Sequence, residues 1–304
     1  MGQDTAKSTD SGPAALLAMA GFIAVATAQV TNMILARANA GEIPPFALAC
    51  VRWSIIAAGL LPFALAGLKS HGREIWSQRW LILAAGFCGM FLCGAPVYIA
   101  GVSTTAINIA LMMTLSPVIV LMVSWWSGLE TVGAFRLLGV ALALSGAVLI
   151  ILLAHATGFH GITSAYGDLL VLMAMLGWSA YTLLQSRAAP SLPFLGRISL
   201  FAAAGALLSL PFAIQEAITM PERVFSLHAL GVYLFAGIVP GILAYGGFAY
   251  LDGKFGSVRT SLVLYVGPVA SALLSFLVLG EAPHAIQFLG GVLILAGVWA
   301  SLRK

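Results

Sequence analysis

Arg52 is the one charged side chain set well inside an apolar run of this 304-residue chain. A guanidinium at that depth can take a carboxylate as a two-pronged hydrogen-bond partner. It can equally serve structure, by bonding helix-end carbonyls or interfacial water, and the residues alone leave both readings open. The acids Asp4, Asp10, Glu42, Glu74, Glu130, Asp168, Glu216, Glu222, Asp252 and Glu281 fall in tails, loops or the ends of apolar runs. So do His71, His155, His160, His228 and His284. A proton-driven pump keeps an ionisable group at mid-depth, where it is costly and functional. None stands there, which argues against a buried carboxylate relay. Cys50, Cys88 and Cys93 lie in apolar runs with no histidine cluster, so they read as small packing residues. There is no nucleotide-binding glycine loop, no Gly-x-Ser-x-Gly elbow and no His/Glu metal pair. The chemistry on offer is recognition, not bond-making: no enzyme, no metal and no cofactor is expected.

Neutral polar and aromatic residues supply the remaining candidates. Trp178, Tyr181, Thr182 and Gln185 are spaced i, i+3, i+4, i+7, one face of a helix. In lipid such a face turns toward protein or a wet cavity; the bland reading is hydrogen bonding between helices. An equivalent face near the N-terminus carries Thr31 and Asn32, with Gln29 one turn earlier. Asn108 and Met112 precede Pro117, and Tyr265 precedes Pro268. Tyr245 is deep in its run, whereas Tyr98 and Tyr250 lie near run ends and read as interface-belt aromatics. Pro96 and Pro240, set among glycines, together with Pro117 and Pro268, are candidate hinges, since proline removes a helix hydrogen bond. Glu130 and Glu281 end apolar runs and read as caps or as bridges to a nearby arginine. Asp168 reads as a first-turn residue favoured by the helix dipole.

These residues must be positioned by membrane helices. Hydrophobic residues make up 61% of the chain and charged ones 8%, against about 25% charged in a soluble domain. A spanning helix needs about 20 apolar residues. Apolar runs at 14–36, 45–67, 79–101, 104–126, 134–154, 166–186, 194–215, 228–250, 257–279 and 284–302 predict ten of them. Backbone amides in lipid require helix or closed barrel, and the alternation of a barrel is absent. Residues 1–13 form a polar tail without the pattern of a cleaved signal. With ten spans, Lys7, Lys69, Arg73, Arg79, Arg136, Arg187, Arg197, Lys254, Arg259, Arg303 and Lys304 share the side that holds both termini. Arg37 and Arg223 take the other. The positive-inside rule makes the first side cytoplasmic. The basic residues are dispersed, so no nucleic-acid surface is expected. The implied partners are a small-molecule substrate and the bilayer, with the chain as a monomer or weak homodimer.

A shift of 151 residues carries Pro117 onto Pro268, Glu130 onto Glu281, Gly139 onto Gly290 and Gly146 onto Gly297. Pro62-Phe63-Ala64 resembles Pro211-Phe212-Ala213, and Arg37 resembles Arg187. The chain therefore reads as two five-helix halves, 14–154 and 155–304. An odd number of helices per half requires the second to insert upside down. Inverted repeats of this kind are characteristic of transporters that bind substrate between the halves.

The repeated Pro-x12-Glu-x8-Gly-x6-Gly closely resembles the EamA-type repeat of the drug/metabolite transporter superfamily. So does Gly167-Asp168-Leu169-Leu170 leading to Trp178-Ser179-Ala180-Tyr181, and Arg52 resembles an arginine common in that family's second helix. Among members the chain looks most like YddG-type exporters of aromatic amino acids. The resemblance covers about 14–302. It implies a central cavity surrounded by the first four helices of each half, with the fifth as support, and export of amino acids, other metabolites or drugs by alternating access. The first-helix glutamate of the related small multidrug exporters is missing here, so an uncoupled facilitator in the inner membrane is expected. Two alternatives are weaker. A multidrug or sugar-phosphate/nucleotide-sugar exchanger stays within the superfamily, but phosphate groups would call for several cations. A lipid-modifying membrane enzyme would need an acid or histidine cluster near the surface.

Overall fold

The computed structural model describes residues 12–128, 131–156, 165–256 and 263–302, and these are helical or connecting throughout. The helices are α1 Gly12–Ala38, α2 Pro45–Ser77, α3 Arg79–Gly86, α4 Ala95–Ala100, α5 Ala106–Met113, α6 Ser116–Trp126 and α7 Ala134–Ala156. They continue as α8 Ala165–Gln185, α9 Phe194–Thr219, α10 Pro221–Val224, α11 Leu227–Gly237, α12 Ala244–Phe255, α13 Val263–Leu274 and α14 Ala285–Leu302. Seven stretches among the described residues are long and apolar enough to cross a membrane. They are Met19–Ala38, Pro45–Leu65, Arg79–Ala100, Ala106–Trp126, Tyr166–Gln185, Phe194–Thr219 and Leu227–Phe255. Three more, Ala134–Ile150, Val266–Leu279 and Ala285–Ser301, are apolar but shorter.

Four of the apolar runs are not single helices. In the run 79–101, a π-helical segment Phe87–Phe91 follows α3, and the chain leaves helical geometry at Gly94 (φ −94°, ψ −103°) before α4 begins with Pro96 in its first turn. In the run 104–126, Thr114 and Leu115 separate α5 from α6, whose first turn holds Pro117. In the run 228–250, the π segment Ile238–Leu243, containing Pro240, joins α11 to α12. In the run 257–279, α13 contains Pro268 and passes into the π segment Ser275–Leu279. Proline lacks the amide that regular geometry needs, and the surrounding helices re-satisfy the freed carbonyls. The π segments at Phe87 and Ile238 begin 151 residues apart, the repeat shift itself. A further difference is α2, which continues past the expected end near 67 to Ser77, with non-helical geometry at His71.

Two pairs of equivalent helices, α2 with α9 and α7 with α14, pack antiparallel. Along α2 and α9, Ser199 Oγ donates to the Ala57 carbonyl at 2.8 Å and Cys50 Sγ donates to the Ala206 carbonyl at 3.5 Å. At one end the Glu216 carboxylate accepts from the amides of Phe46 (3.2 Å) and Ala47 (2.7 Å). Those amides are orphans of the first turn of α2, where negative charge is favoured. Along α7 and α14 the motif glycines meet in register. A Cβ on Gly139 would stand 2.8 Å from the Gly297 carbonyl, and one on Gly146 would stand 2.6 Å from that of Gly290. Only glycine permits this backbone approach. The main core joins Trp53 of α2, Met90, Tyr98 of α4, Met112 of α5, Tyr181 of α8 and Phe201 of α9. A second core joins Leu115, Val118, Ile150 and Ile294 between α6, α7 and α14. Large apolar side chains such as Leu207, Ile218 and Phe288 face outward, as a bilayer solvent requires.

Candidate functional site

Arg52 is 5% exposed. Its Nε donates to the Ala236 carbonyl at 3.3 Å, in the last turn of α11 just ahead of the π segment. Its guanidinium carbon lies 4.2 Å from the centre of the Trp53 ring, a cation–π distance. The Tyr98 hydroxyl hydrogen-bonds the guanidinium, and Tyr245 and Cys93 are close enough to feel its charge. The Tyr98 hydroxyl donates to Asn32 Oδ1 at 2.9 Å. No carboxylate lies within ion-pair distance of Arg52 among the described residues. Trp53 is buried, and its indole N–H has no acceptor. It lies against Gly94, past the end of the π segment, where the chain leaves helical geometry. Helices α1, α2, α4 and α12 thus bring Asn32, Arg52, Trp53, Tyr98 and Tyr245 into one cluster.

Tyr98 corrects the reading of it as an interface-belt aromatic. It is 4% exposed, because the irregular stretch from Phe87 to Gly94 turns α4 inward. Tyr250, by contrast, is exposed beside Lys254, where a belt residue belongs.

The helical face on α8 divides. Trp178 is half-buried and packs on Tyr181, ring centres 5.0 Å apart. Tyr181 is buried edge-on to Phe201 at 5.7 Å and lies over Gly89, so it faces the packed core between α8, α9 and the first π segment. The Thr182 hydroxyl donates to the Trp178 carbonyl within its own helix (2.9 Å). The Gln185 carbonyl accepts from Arg197 at 2.8 Å. Thr31 turns away from Asn32. It lines a groove of about 410 Å³ between α1, α11 and α13 with Ile34, Asn39, His228 and Phe235. Met112 is fully buried in the main core.

Asn108 takes part in a different arrangement. It is fully buried, with its side-chain oxygen accepting from Gln287 at 2.7 Å and its amide donating to Thr104 at 3.4 Å. Gln287 also donates to Thr105 at 3.0 Å, and Thr104 donates to Asp168 at 2.7 Å. This network ties α5, α8 and α14 together, with Asp168 in the first turn of α8. Nearby, Arg37 Nε meets Glu281 at 2.7 Å and Nη1 donates to the Gly101 carbonyl at 2.9 Å. Glu281 therefore bridges to the first half instead of capping α14. Glu130 and the side chain of Tyr265 lie outside the described residues.

Sequence reasoning missed Tyr98, Trp53, Thr104 and Gln287. A tyrosine two residues after Pro96, at a helix restart, was the available signal for Tyr98. Gln287 offered one too, as an amide in an apolar helix that demands a partner.

Antiparallel packing of α2 on α9 and of α7 on α14 joins the two halves, and Arg52 is buried against α11; the comparisons say which family shares this plan. The EamA-like transporter family matches the chain twice, over residues 14–152 and 165–303. The chain belongs to that family. It is 26% identical over 274 residues to an uncharacterized transporter of Archaeoglobus fulgidus, covering 90% of this chain and 93% of that one. It is 24% identical to a probable amino-acid metabolite efflux pump of Salmonella typhimurium, covering 93% and 94% respectively. A solved crystal structure at 24% identity superposes with a TM-score of 0.60 over 95% of this chain and 96% of its own, which establishes the shared fold.

Proposed function

We propose that the protein exports small amphipathic metabolites that carry a carboxylate, aromatic amino acids foremost, across the inner membrane. Its ten membrane-crossing segments form two inverted five-helix halves that alternate access to a site between them, with both termini cytoplasmic. The observation that carries this reading is the buried Arg52 with no acid beside it among the described residues. A buried charge without a counter-charge is expensive, and a ligand carboxylate would supply the partner. The antiparallel packing of α2 on α9 and α7 on α14 supports the inverted relation. Tyr98, Tyr245 and Trp178 supply aromatic surface for a planar side chain. The relatives are named as transporters, and one as an amino-acid metabolite efflux pump, which supports export over catalysis.

Transport is a facilitated passage without a proton relay. The described acids near the bundle interior, Asp168 and Glu281, are held by Thr104 and Arg37. The test uses purified protein in liposomes loaded with labelled phenylalanine or tryptophan, with and without a pH gradient. Efflux down the substrate gradient alone is expected, with Arg52→Ala losing most of it and Trp178→Ala losing part. If no amino acid leaves, the substrate assignment fails. A strict need for the pH gradient would end the uncoupled mechanism.

A further inference from the structure

The polar groups around Arg52 are unbalanced in a way that selects between kinds of carboxylate. Three acceptors in the cluster are already engaged: the Ala236 carbonyl receives Arg52 Nε, the Tyr98 hydroxyl oxygen takes a hydrogen bond from the Arg52 guanidinium, and Asn32 Oδ1 receives the Tyr98 hydroxyl. The donors are not matched. Arg52 offers the rest of its guanidinium fork, Asn32 keeps its side-chain NH₂, and the Trp53 indole N–H is buried with no acceptor. One fixed positive charge is present, and among the described residues no fixed negative charge accompanies it. Each described acid is placed elsewhere. Glu281 is on Arg37, Glu216 on the first turn of α2 and Asp168 on Thr104. Glu42 lies 3.7 Å from His228 at the exposed end of the bundle, Glu74 and Glu222 lie on exposed stretches, and Asp252 ends α12.

We infer that this donor-rich, singly positive cluster prefers an aromatic acid whose amino group is absent or acylated over the corresponding zwitterion, and rejects the corresponding amine. The inference rests on the proposed role of Arg52 as the carboxylate receptor. A carboxylate is an acceptor only, so it can satisfy the guanidinium fork and the orphan donors together. An ammonium brings three donors and a second positive charge into a site that already has too many of both. Desolvating that ammonium with no acid to receive it is unfavourable. An anion leaves the occupied site neutral, whereas a zwitterion leaves it with the charge it had.

Four probes with one phenyl ring test this: 3-phenylpropionate, N-acetylphenylalanine, phenylalanine and 2-phenylethylamine. Equilibrium binding to the purified full chain is measured at neutral pH, for the native protein and for Arg52→Gln and Arg52→Lys. The expected result is binding of the two anions about 10-fold tighter than phenylalanine, and none of the amine. Arg52→Gln should erase the preference, and Arg52→Lys, which keeps the charge, should restore part of it. Phenylalanine binding as tightly as the anions, or amine binding, would overturn the inference and leave the amino-acid reading standing. Anion binding without phenylalanine binding would uphold the inference and overturn that reading. Failure of all four probes to bind a folded protein would overturn both.

Discussion

Arg37 and Arg52 sit on neighbouring helices of the same half and are held in opposite ways. Arg37 has a carboxylate at 2.7 Å and a carbonyl at 2.9 Å. Arg52, more deeply buried, has one carbonyl at 3.3 Å, the Tyr98 hydroxyl and an indole face, all of them neutral. A partnered buried ion is a structural tie, because each charge compensates the other's lost hydration. A buried cation without an acid keeps part of its desolvation cost, which the proposed substrate carboxylate would offset. The same contrast separates the two amides singled out from sequence. Asn108 has its oxygen and its NH₂ engaged within protein, while Asn32 has its oxygen engaged and its NH₂ on offer.

Replacing each arginine in turn tests this contrast most severely. Arg52→Gln should lower substrate affinity about 100-fold, the worth of a charge-assisted bidentate contact at roughly 2–3 kcal/mol. Its melting temperature should hold or rise, since an uncompensated charge has been removed. A fall in melting temperature equal to that of an Arg37 variant would erase the distinction. Glu281→Gln should cost about 2 kcal/mol of stability by stranding Arg37. Adding Arg37→Gln should return about half of that, and a double-mutant cycle in denaturant reads the coupling. Asn108→Ala should cost about 1–2 kcal/mol by leaving Gln287 unsatisfied. Its substrate affinity should stay within about twofold of the native protein, and a larger loss would move Asn108 into the site. Tyr98→Phe should show the smallest energetic effect, roughly 1 kcal/mol from one neutral hydrogen bond, read as a loss of about fivefold in affinity. A titration of labelled substrate is sufficient to see it.

The apolar runs were legible because lipid leaves the backbone few choices, so composition alone dictates helix. The Pro-Glu-Gly-Gly repeat was legible for a related reason. Gly139 and Gly146 stand where the backbones of α7 and α14 come together, and nothing larger fits. Depth within a run was harder to read. Tyr98 looked peripheral because counting residues from a run end assumes a regular rise, and the stretch from Phe87 to Gly94 breaks it. Asn108 looked like a ligand contact because an amide in lipid must find a partner. The sequence does not say whether that partner is a substrate or Gln287, which lies 179 residues away. The face on α8 was read as uniform, yet helical spacing fixes only which side chains are neighbours. What covers them depends on α9 and on Gly89.

The missing acid beside Arg52 also bears on energy supply. A zwitterion crosses a charged membrane without electrical work, so a passive carrier can only level its concentrations. An organic anion leaving past Arg52 carries a negative charge outward, down the voltage of a cell that is negative inside. Each 100 mV is worth about 2.3 kcal/mol per charge, enough to hold an outward gradient of roughly 50-fold. A carrier that moved such an anion alone would act as a voltage-powered pump for acids.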